Sequence, residues 1–427
     1  MRAAWQYQIE DTAHSPLLVF YEVTRACDLV CKHCRACAQP EPHPNELNTA
    51  ESKNLLKQLT TFPKKPILVI TGGDPLKRDD IFELIDYATE DCGLEVSFVP
   101  SATPLLTEDV LVKLKQAGLS RLGLSIDGAD AKTHDEQRGV KGTFDHAVNI
   151  LKRAHELGIE TQVNTTITKA NIDQICKMGK LMSTLNIALW SVFFLVPVGR
   201  GLNDLRISPS EYKTAFDKLL KQSRKYKFGV KTTEAPFFRR HVLQNMAHNE
   251  APLHQQDKRQ KAANPQNGNG HHHHEMRSGS KAPLGINDGK GIMFVSHTGD
   301  VHPSGFLPCK CGNVKFESAV EIYQDHEVFR KLRRSELLKG KCGYCGYRDV
   351  CGGSRARAKA VTGDMFAAEP DCEFCPPAWR DHLENQRNMT HSVLDFHTQT
   401  SSHTNIDLIS ENACTCQQCP ACLENAE

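Results

Sequence analysis

Aromatic residues are few, and neither sign of charge is in excess: aromatics make up 7% of the 427 residues, and the formal net charge is +1. That balance removes the basic footprint a nucleic-acid partner requires. Long apolar runs are also missing. The longest, Ile187 to Val198, is broken by Ser191 and Pro197 and is too short to cross a bilayer. No charged stretch followed by an apolar one stands at the N-terminus, so no secretory signal is read. These absences predict a cytoplasmic protein with no membrane span and no nucleic-acid partner. Cysteine, by contrast, is abundant, with 17 in the chain. In a reducing compartment so many thiols point to metal rather than to disulfides.

The length allows a large core and more than one module. Apolar or β-branched runs appear at 17–23, 67–71, 94–99, 121–126, 159–167 and 189–196. Helical periodicity fills 49–60, 79–90, 107–117, 143–157, 171–183 and 209–224. Strands alternating with helices predict an α/β fold with a parallel sheet. Six such units suit a partial (β/α)6 barrel over residues 16–235, preceded by an extension over 1–15. Residues 236–284 turn to Gln, Asn, His and Lys and read as a flexible polar insertion. Its run His271 to His274 is either a metal binder or, as composition favours, part of a solvated linker. A small Cys-rich α+β module follows over 285–378. It opens with a hairpin signal whose turn is Thr298-Gly299-Asp300. The tail, 379–427, begins with a short helical stretch and ends in Cys414, Cys416, Cys419 and Cys422, which either bind metal or belong to a disordered tail. Cys92 and Cys176 sit in or beside helical segments and read as core thiols.

Directly after the first predicted strand stands Cys27-x3-Cys31-x2-Cys34. Three cysteines hold three corners of a 4Fe-4S cube and leave one iron without a protein ligand, as a reactive cluster requires. Zinc knuckles favour paired C-x2-C spacing, so zinc is the weaker reading. Cys37 is a fourth nearby thiol and reads as a bystander. The place, at the C-terminal end of a barrel strand, is where such folds build active sites. Thr71-Gly72-Gly73-Asp74-Pro75 ends the second strand, and its glycines let backbone approach a ligand closely. Ser125 and Asp127 alternate with Leu124 and Ile126 and so share one face, towards the cavity; Asn164 and Thr166 do the same on the fifth strand. Polar strand-end capping explains these four equally well. Val196 to Gly201 ends the sixth strand, and its Arg200 is either a carboxylate partner or a solvated loop residue.

These motifs resemble the radical S-adenosylmethionine (SAM) superfamily. The resemblance implies a partial barrel, SAM bound on the open iron of the Cys27/Cys31/Cys34 cluster, and cleavage of SAM to a 5′-deoxyadenosyl radical that takes a hydrogen from substrate. It implies that the backbone at Gly72, Gly73 and Asp74 meets the SAM amino group. Asp74 stands where the family carries Glu. The resemblance further assigns the SAM carboxylate and ribose to the strand end with Ser125 and Asp127, and the adenine to the strand ending at Val196. Asn164 and Thr166 complete the expected SAM contacts.

A second set, Cys342-x2-Cys345-x5-Cys351-Gly-Gly with Cys372 downstream, would close a cluster with four thiols. A zinc ribbon is the alternative. The pattern resembles the SPASM or twitch extension of radical SAM enzymes, which implies an auxiliary 4Fe-4S cluster on Cys342, Cys345, Cys351 and Cys372, with Cys375 competing for the last place. Ser304 and Arg355 stand where a full SPASM domain has further cysteines, and Cys309 and Cys311 lie off register. One auxiliary cluster is therefore expected. That layout, with Gly285 to Gly291 and Pro303 to Pro308, looks nearest to the haem-biosynthesis branch: the d1-haem maturase and the alternative haem synthase that decarboxylates propionates. The resemblance thus implies modification of tetrapyrrole side chains, with Arg35, Arg138 and Arg200 as candidate carboxylate binders. A ferredoxin or flavodoxin would be the electron donor. The alternatives are a peptide maturase, for which Met1 to Ser15 leaves no room for a precursor-binding domain, and a non-enzymatic iron–sulfur redox protein.

Overall fold

The computed structural model describes residues 7–246 and 284–398. The terminal cysteine cluster, His271 to His274 and most of the polar insertion lie outside the described residues. Seven parallel strands, β1 (Leu18–Glu22), β2 (Ile67–Thr71), β3 (Glu95–Phe98), β4 (Arg121–Ser125), β5 (Thr161–Ile167), β6 (Leu189–Phe194) and β7 (Gly229–Thr233), run in chain order across one sheet. Between them lie α1 (Thr49–Leu59), α2 (Ile81–Asp86), α3 (Glu108–Gln116), α4 (Ala131–Arg138), α5 (Thr143–Glu156), α6 (Ile175–Thr184) and α7 (Pro209–Lys225). The six βα units are those the periodicity marks, in a partial barrel. The strand β7, with sequence GVKTT, was not among the apolar runs; it adds to the sheet beside β6.

The outer face of the strands is apolar because helices cover it, whereas the inner face is mixed: apolar on β1 and β2, and polar on β3 to β5 through Glu95, Ser97, Arg121, Gln162 and Asn164. Val19 and Tyr21 on β1, Leu68 and Ile70 on β2, and Trp190 and Val192 on β6 are buried beneath the helices. Their neighbours Leu18, Phe20, Val69 and Phe193 turn inward and line a cavity of about 1050 Å³ inside the barrel. The helices start where the sequence signals them. Asn48 and Ser208 form capping boxes with Glu51 and Glu211, and Thr107 and Asp130 cap α3 and α4.

Two further features differ from the sequence reading. The segment from residue 236 begins as a helix, α8 (237–246), whose Phe237 and Phe238 are buried against α7. The apolar pair anchors the start of what composition alone marks as linker. Cys176 on α6 is exposed, not a core thiol, whereas Cys92 is buried.

The C-terminal module is continuous with the barrel. β8 (Ile292–Val295) pairs in parallel with β1, and β9 (Asp300–His302) and β10 (Gly312–Asn313) follow antiparallel. Gly299 makes the hairpin turn at φ +87. Five helices follow: α9 (Ala319–Asp325), α10 (Glu327–Leu332), α11 (Gly340–Gly343), α12 (Arg355–Thr362) and α13 (Pro377–Thr398). Among the described residues no helix is long and apolar enough to cross a membrane.

Arg357 on α12 locks this module to the barrel. It is fully buried, pairs with Glu369 (3.2 Å) and Asp371 (3.0 Å), and donates to the Phe194 carbonyl at the end of β6 (3.2 Å). Asp371 also accepts from Tyr212 of α7 (2.9 Å) and pairs with Arg206. Removing one member of such a network leaves charge buried without compensation. Arg357→Met should therefore lower the unfolding free energy by about 3–5 kcal/mol, read as a shift in urea midpoint at unchanged slope.

Candidate active site

The loop after β1 is closed at its base by a bridge between Ala26 and Gln39. The Cys27 N–H donates to the Gln39 carbonyl (2.7 Å) and the Gln39 N–H to the Arg25 carbonyl (3.1 Å). Within this loop Cys27, Cys31 and Cys34 gather in one small apolar cluster with Leu29, Ala38 and Val140. Each sulfur has a donor or hydroxyl beside it. The Leu29 N–H lies 3.4 Å from the Cys27 Sγ, the Ala38 N–H 3.4 Å from the Cys34 Sγ, and the Arg138 guanidinium 3.7 Å from the Cys31 Sγ. The Ser101 hydroxyl stands 3.4 Å from the Cys27 Sγ. Burial pushes the Cys27 thiol up, while Ser101 and the Leu29 N–H pull it down. Such contacts favour a thiolate once a metal takes the proton's place. Cys37 sits at φ +49, and its carbonyl accepts from Arg25 and Gln39 (3.0 Å each). Its visible role is to turn the chain.

The turn after β2 holds this loop in place. The Gly73 N–H donates to the Thr24 carbonyl (2.8 Å) and the Asp74 N–H to the Ala26 carbonyl (2.7 Å). A Cβ at Gly72 would stand 2.6 Å from the Thr24 oxygen, and one at Gly73 2.7 Å from the Arg25 oxygen and nearer still to that of Ala26. Only glycine fits this cradle. Asp74 is fully buried, with its carboxylate accepting from Thr103 (2.6 Å) and from the N–H groups of Leu76 (3.2 Å) and Ser101 (3.4 Å). Its side chain fixes the turn and leaves only its backbone to a ligand. Ser101, which sequence reasoning missed, also donates to the Gly73 carbonyl (2.9 Å).

Asp127 departs from the expectation that it faces the cavity. β4 ends at Ser125, so strand alternation no longer governs residue 127. Its carboxylate is fully buried, accepts from the Thr166 N–H (2.7 Å), pairs with Arg138 (2.5 Å) and stands 3.4 Å from His33. Burial alone would push this carboxyl up, but Arg138, with His33 and His134, holds it below the usual carboxylate range. Arg138 is likewise not free for a substrate carboxylate: it bridges Asp127 and Cys31. The Ser125 hydroxyl has no partner among the described residues. Asn164 lines the cavity and accepts from Gln162 (2.7 Å), and the Thr166 carbonyl accepts from Asn171 (2.8 Å). Val196 does not reach the cavity; it packs with Leu307, Leu332 and Ala356 beneath the C-terminal module.

Two other arginines behave differently. Arg35 reaches the cavity wall but is paired with Glu22 (2.6 Å) and lies over the Phe294 ring (4.7 Å). Arg200 donates its backbone N–H to the Cys34 carbonyl (2.9 Å), while two of its buried guanidinium nitrogens have no partner among the described residues. An unpaired cation near His33 of the cysteine loop fits an anionic ligand there.

In the C-terminal module, Cys342, Cys345, Cys351 and Cys372 line one small cavity together with Arg240 and Lys341. Cys375 is not among the lining residues. The Glu369 N–H lies 3.3 Å from the Cys342 Sγ and the Gly353 N–H 3.4 Å from the Cys351 Sγ. Burial pushes Cys351 up to about 12 and raises Cys345 and Cys372 as well. Among the described residues no three His, Cys, Asp or Glu side chains converge on a point that would hold one metal ion. A cubane does not require convergence, because each thiolate takes its own iron. Both thiol sets suit it: sulfur donors only, N–H groups aimed at sulfur, and cations nearby. The Ser304 hydroxyl bonds Asp288, and Arg355 donates to the carbonyls of Met365 (2.9 Å) and Ala367 (2.8 Å). Both positions are thus built into the protein's own hydrogen bonding. Cys311 is buried and Cys309 half-buried, away from either set.

Residues 21–182 match the model of the radical SAM superfamily. The chain is 39% identical to the AdoMet-dependent heme synthase of Nitratidesulfovibrio vulgaris, over 86% of this chain and 95% of that protein. It is 38% identical to the enzyme of the same name from Methanosarcina barkeri, over 85% and 98%. Its fold is similar to that of Streptococcus suis SuiB, with a TM-score of 0.62 at 18% identity, over 84% of this chain and 78% of the other.

His134, whose Nδ1 accepts from the Asp127 N–H (3.0 Å), ties α4 to the site. Burial, with Arg138 nearby, pulls its imidazole down to about 4. Between about pH 6.5 and pH 4 the unfolded chain binds a proton that the folded one refuses, so stability is full above 6.5 and falls as pH drops. The contribution is about 3 kcal/mol at most. The Tm of His134→Gln should therefore fall less between pH 7 and 4.5 than that of the unsubstituted protein.

Proposed function

This chain belongs to the radical SAM superfamily, and we propose that within it the protein modifies the propionate side chains of a tetrapyrrole, as a haem synthase would. The observation that carries this is the barrel cavity. Its roughly 1050 Å³ is at the upper end of ordinary small-molecule pockets and suits a flat macrocycle. Its wall runs from Arg35 and Thr71, beside the first thiol loop, to Asn287, which donates to the carbonyls of Cys351 (3.3 Å) and Gly353 (2.8 Å). A substrate there lies between the two thiol sets.

In this reading Cys27, Cys31 and Cys34 hold the SAM-binding 4Fe-4S cluster, and Cys342, Cys345, Cys351 and Cys372 hold one auxiliary 4Fe-4S cluster. When bound, the first cluster with SAM supplies a 5′-deoxyadenosyl radical able to take a hydrogen atom from an unactivated carbon. The protein's part is position and exclusion of water. Gly72, Gly73 and Asp74 present backbone to the SAM amino group, and Ser101 holds the Gly73 carbonyl in place. Ser125, Asn164 and Thr166 offer polar contacts on the inner face, and Arg200 offers its two unpaired nitrogens to a carboxylate. Asp127 acts indirectly, by fixing Arg138 against Cys31. The packing of Val196 removes its side chain from this list. Electrons would come from a ferredoxin or flavodoxin.

Anaerobically reconstituted protein should hold about eight irons per chain, two cubanes. Cys372→Ala should lower that to about four, and Cys375→Ala should leave it unchanged. Reduced protein given SAM, iron coproporphyrin and a one-electron acceptor should release 5′-deoxyadenosine and convert propionates to vinyls, each losing CO2, one hydrogen atom to the deoxyadenosyl radical and one electron to the acceptor, seen by mass spectrometry; Cys27→Ala should do neither. Release with a peptide but with no propionate-bearing porphyrin would sink the tetrapyrrole reading.

A further inference from the structure

Lys231 lies on β7, faces the barrel cavity, and stands in register with Ser191, Asn164 and Ser125 across β6, β5 and β4. Among the described residues its ammonium makes no hydrogen bond and no ion pair. Its charged neighbours are two guanidinium groups, those of Arg121 and Arg239. Arg121 has a carboxylate partner in Glu160. Arg239 has none; it donates to the carbonyls of Val350 (3.0 Å) and Ile286 (2.7 Å), and the acidic group beside it is the Cys351 thiol. Of the four carboxyls on the same cavity wall, Glu160 is taken by Arg121, and Glu95, Glu234 and Asp288 make no ion pair with Lys231. Burial and the neighbouring Asp288 push Glu234 well above the carboxylate range, and burial raises Asp288 too. Burial and the two guanidiniums pull the Lys231 ammonium down to about 8, so it remains charged at neutral pH.

A cation kept inside a barrel without a counter-ion destabilises the empty protein. The rest of the cavity shows what kind of anion would relieve it. Phe20, Phe193, Phe238, Phe294 and Phe306 line the same space. Aromatic walls around a cationic spot suit a flat apolar body carrying acidic arms.

We infer that Lys231, flanked by Arg239 and Arg121, anchors a carboxylate of the substrate inside the barrel. The inference rests on the tetrapyrrole reading and takes the carboxylate to be a propionate. Lys231 is then a binding and positioning residue: it fixes which edge of the macrocycle faces β7.

The test is a Soret titration of the reconstituted protein with iron coproporphyrin, which carries four propionates, and with its tetramethyl ester. The unsubstituted protein should bind the acid and reject the ester. Lys231→Met should weaken binding of the acid about 30-fold or more, while Lys231→Arg keeps it. Lys231→Met should also raise the Tm of the porphyrin-free protein, because it removes an uncompensated charge, an effect that a structural lysine would not give. Equal affinity of Lys231→Met and the unsubstituted protein for the acid overturns the Lys231 inference and leaves the tetrapyrrole reading standing. So does equal binding of acid and ester. If Lys231→Met misfolds, Lys231→Arg decides: retained binding supports the anchor, and lost binding in a folded protein overturns it. Binding of neither porphyrin by the unsubstituted protein overturns the tetrapyrrole reading itself, and the anchor with it.

Discussion

The site depends on a contact that contains no side chains. The backbone at Gly72 and Gly73 lies directly on the backbone at Thr24 to Ala26, with two N–H groups donating across. That contact sets the height and tilt of the cysteine loop above the barrel. From the other side Gly199, at φ +61, packs on the carbonyls of Cys34 and Arg35, and Arg200 donates to Cys34. The loop is therefore clasped between two turns that belong to different strands. A methyl group at either clasp would push against backbone, which has nowhere to yield.

Charge inside the protein is used in two opposite ways. Around Asp127 and around Arg357 every buried charge faces its complement, and each group carries a structural element with it. Asp127 brings α4 and Arg138 to Cys31, and Arg357 brings Asp371, and with it Cys372, to the end of β6. Within the barrel the balance is left unfinished, with the Lys231 ammonium on the wall and no carboxylate paired to it. The first arrangement fixes geometry and the second leaves room for a ligand, as charge complementarity at a binding site requires.

Much of this was legible in the sequence, and the limits have physical causes. The six runs show in the sequence because their helix-covered face is apolar and β-branched residues are frequent in them. GVKTT left none, since β7 borders the cavity with polar side chains and has few apolar residues to show. Cysteine spacing marked both thiol sets, because most of each set lies within one short stretch of chain. The partners of those thiols were not legible: Ser101 and Arg138 reach them from other strand ends. Alternation placed Asn164 correctly on the inner face and misplaced Asp127, because alternation holds only while the strand lasts. Phe237 and Phe238 were read as linker since two aromatics in a polar stretch become a helix only when α7 offers them a surface.

The pairing of β8 with β1 sets a timetable for the growing chain. Leu18 finds its partner Ile292 only after about 270 further residues have been made. At a synthesis rate of 5–20 residues per second, that is roughly 15–50 s during which β1, and the cysteine loop it carries, has one edge unpaired. An unpaired parallel edge attracts other strands, and a free thiol loop attracts oxidants. A chain cut short before β8 would keep that edge open beside the cysteine loop.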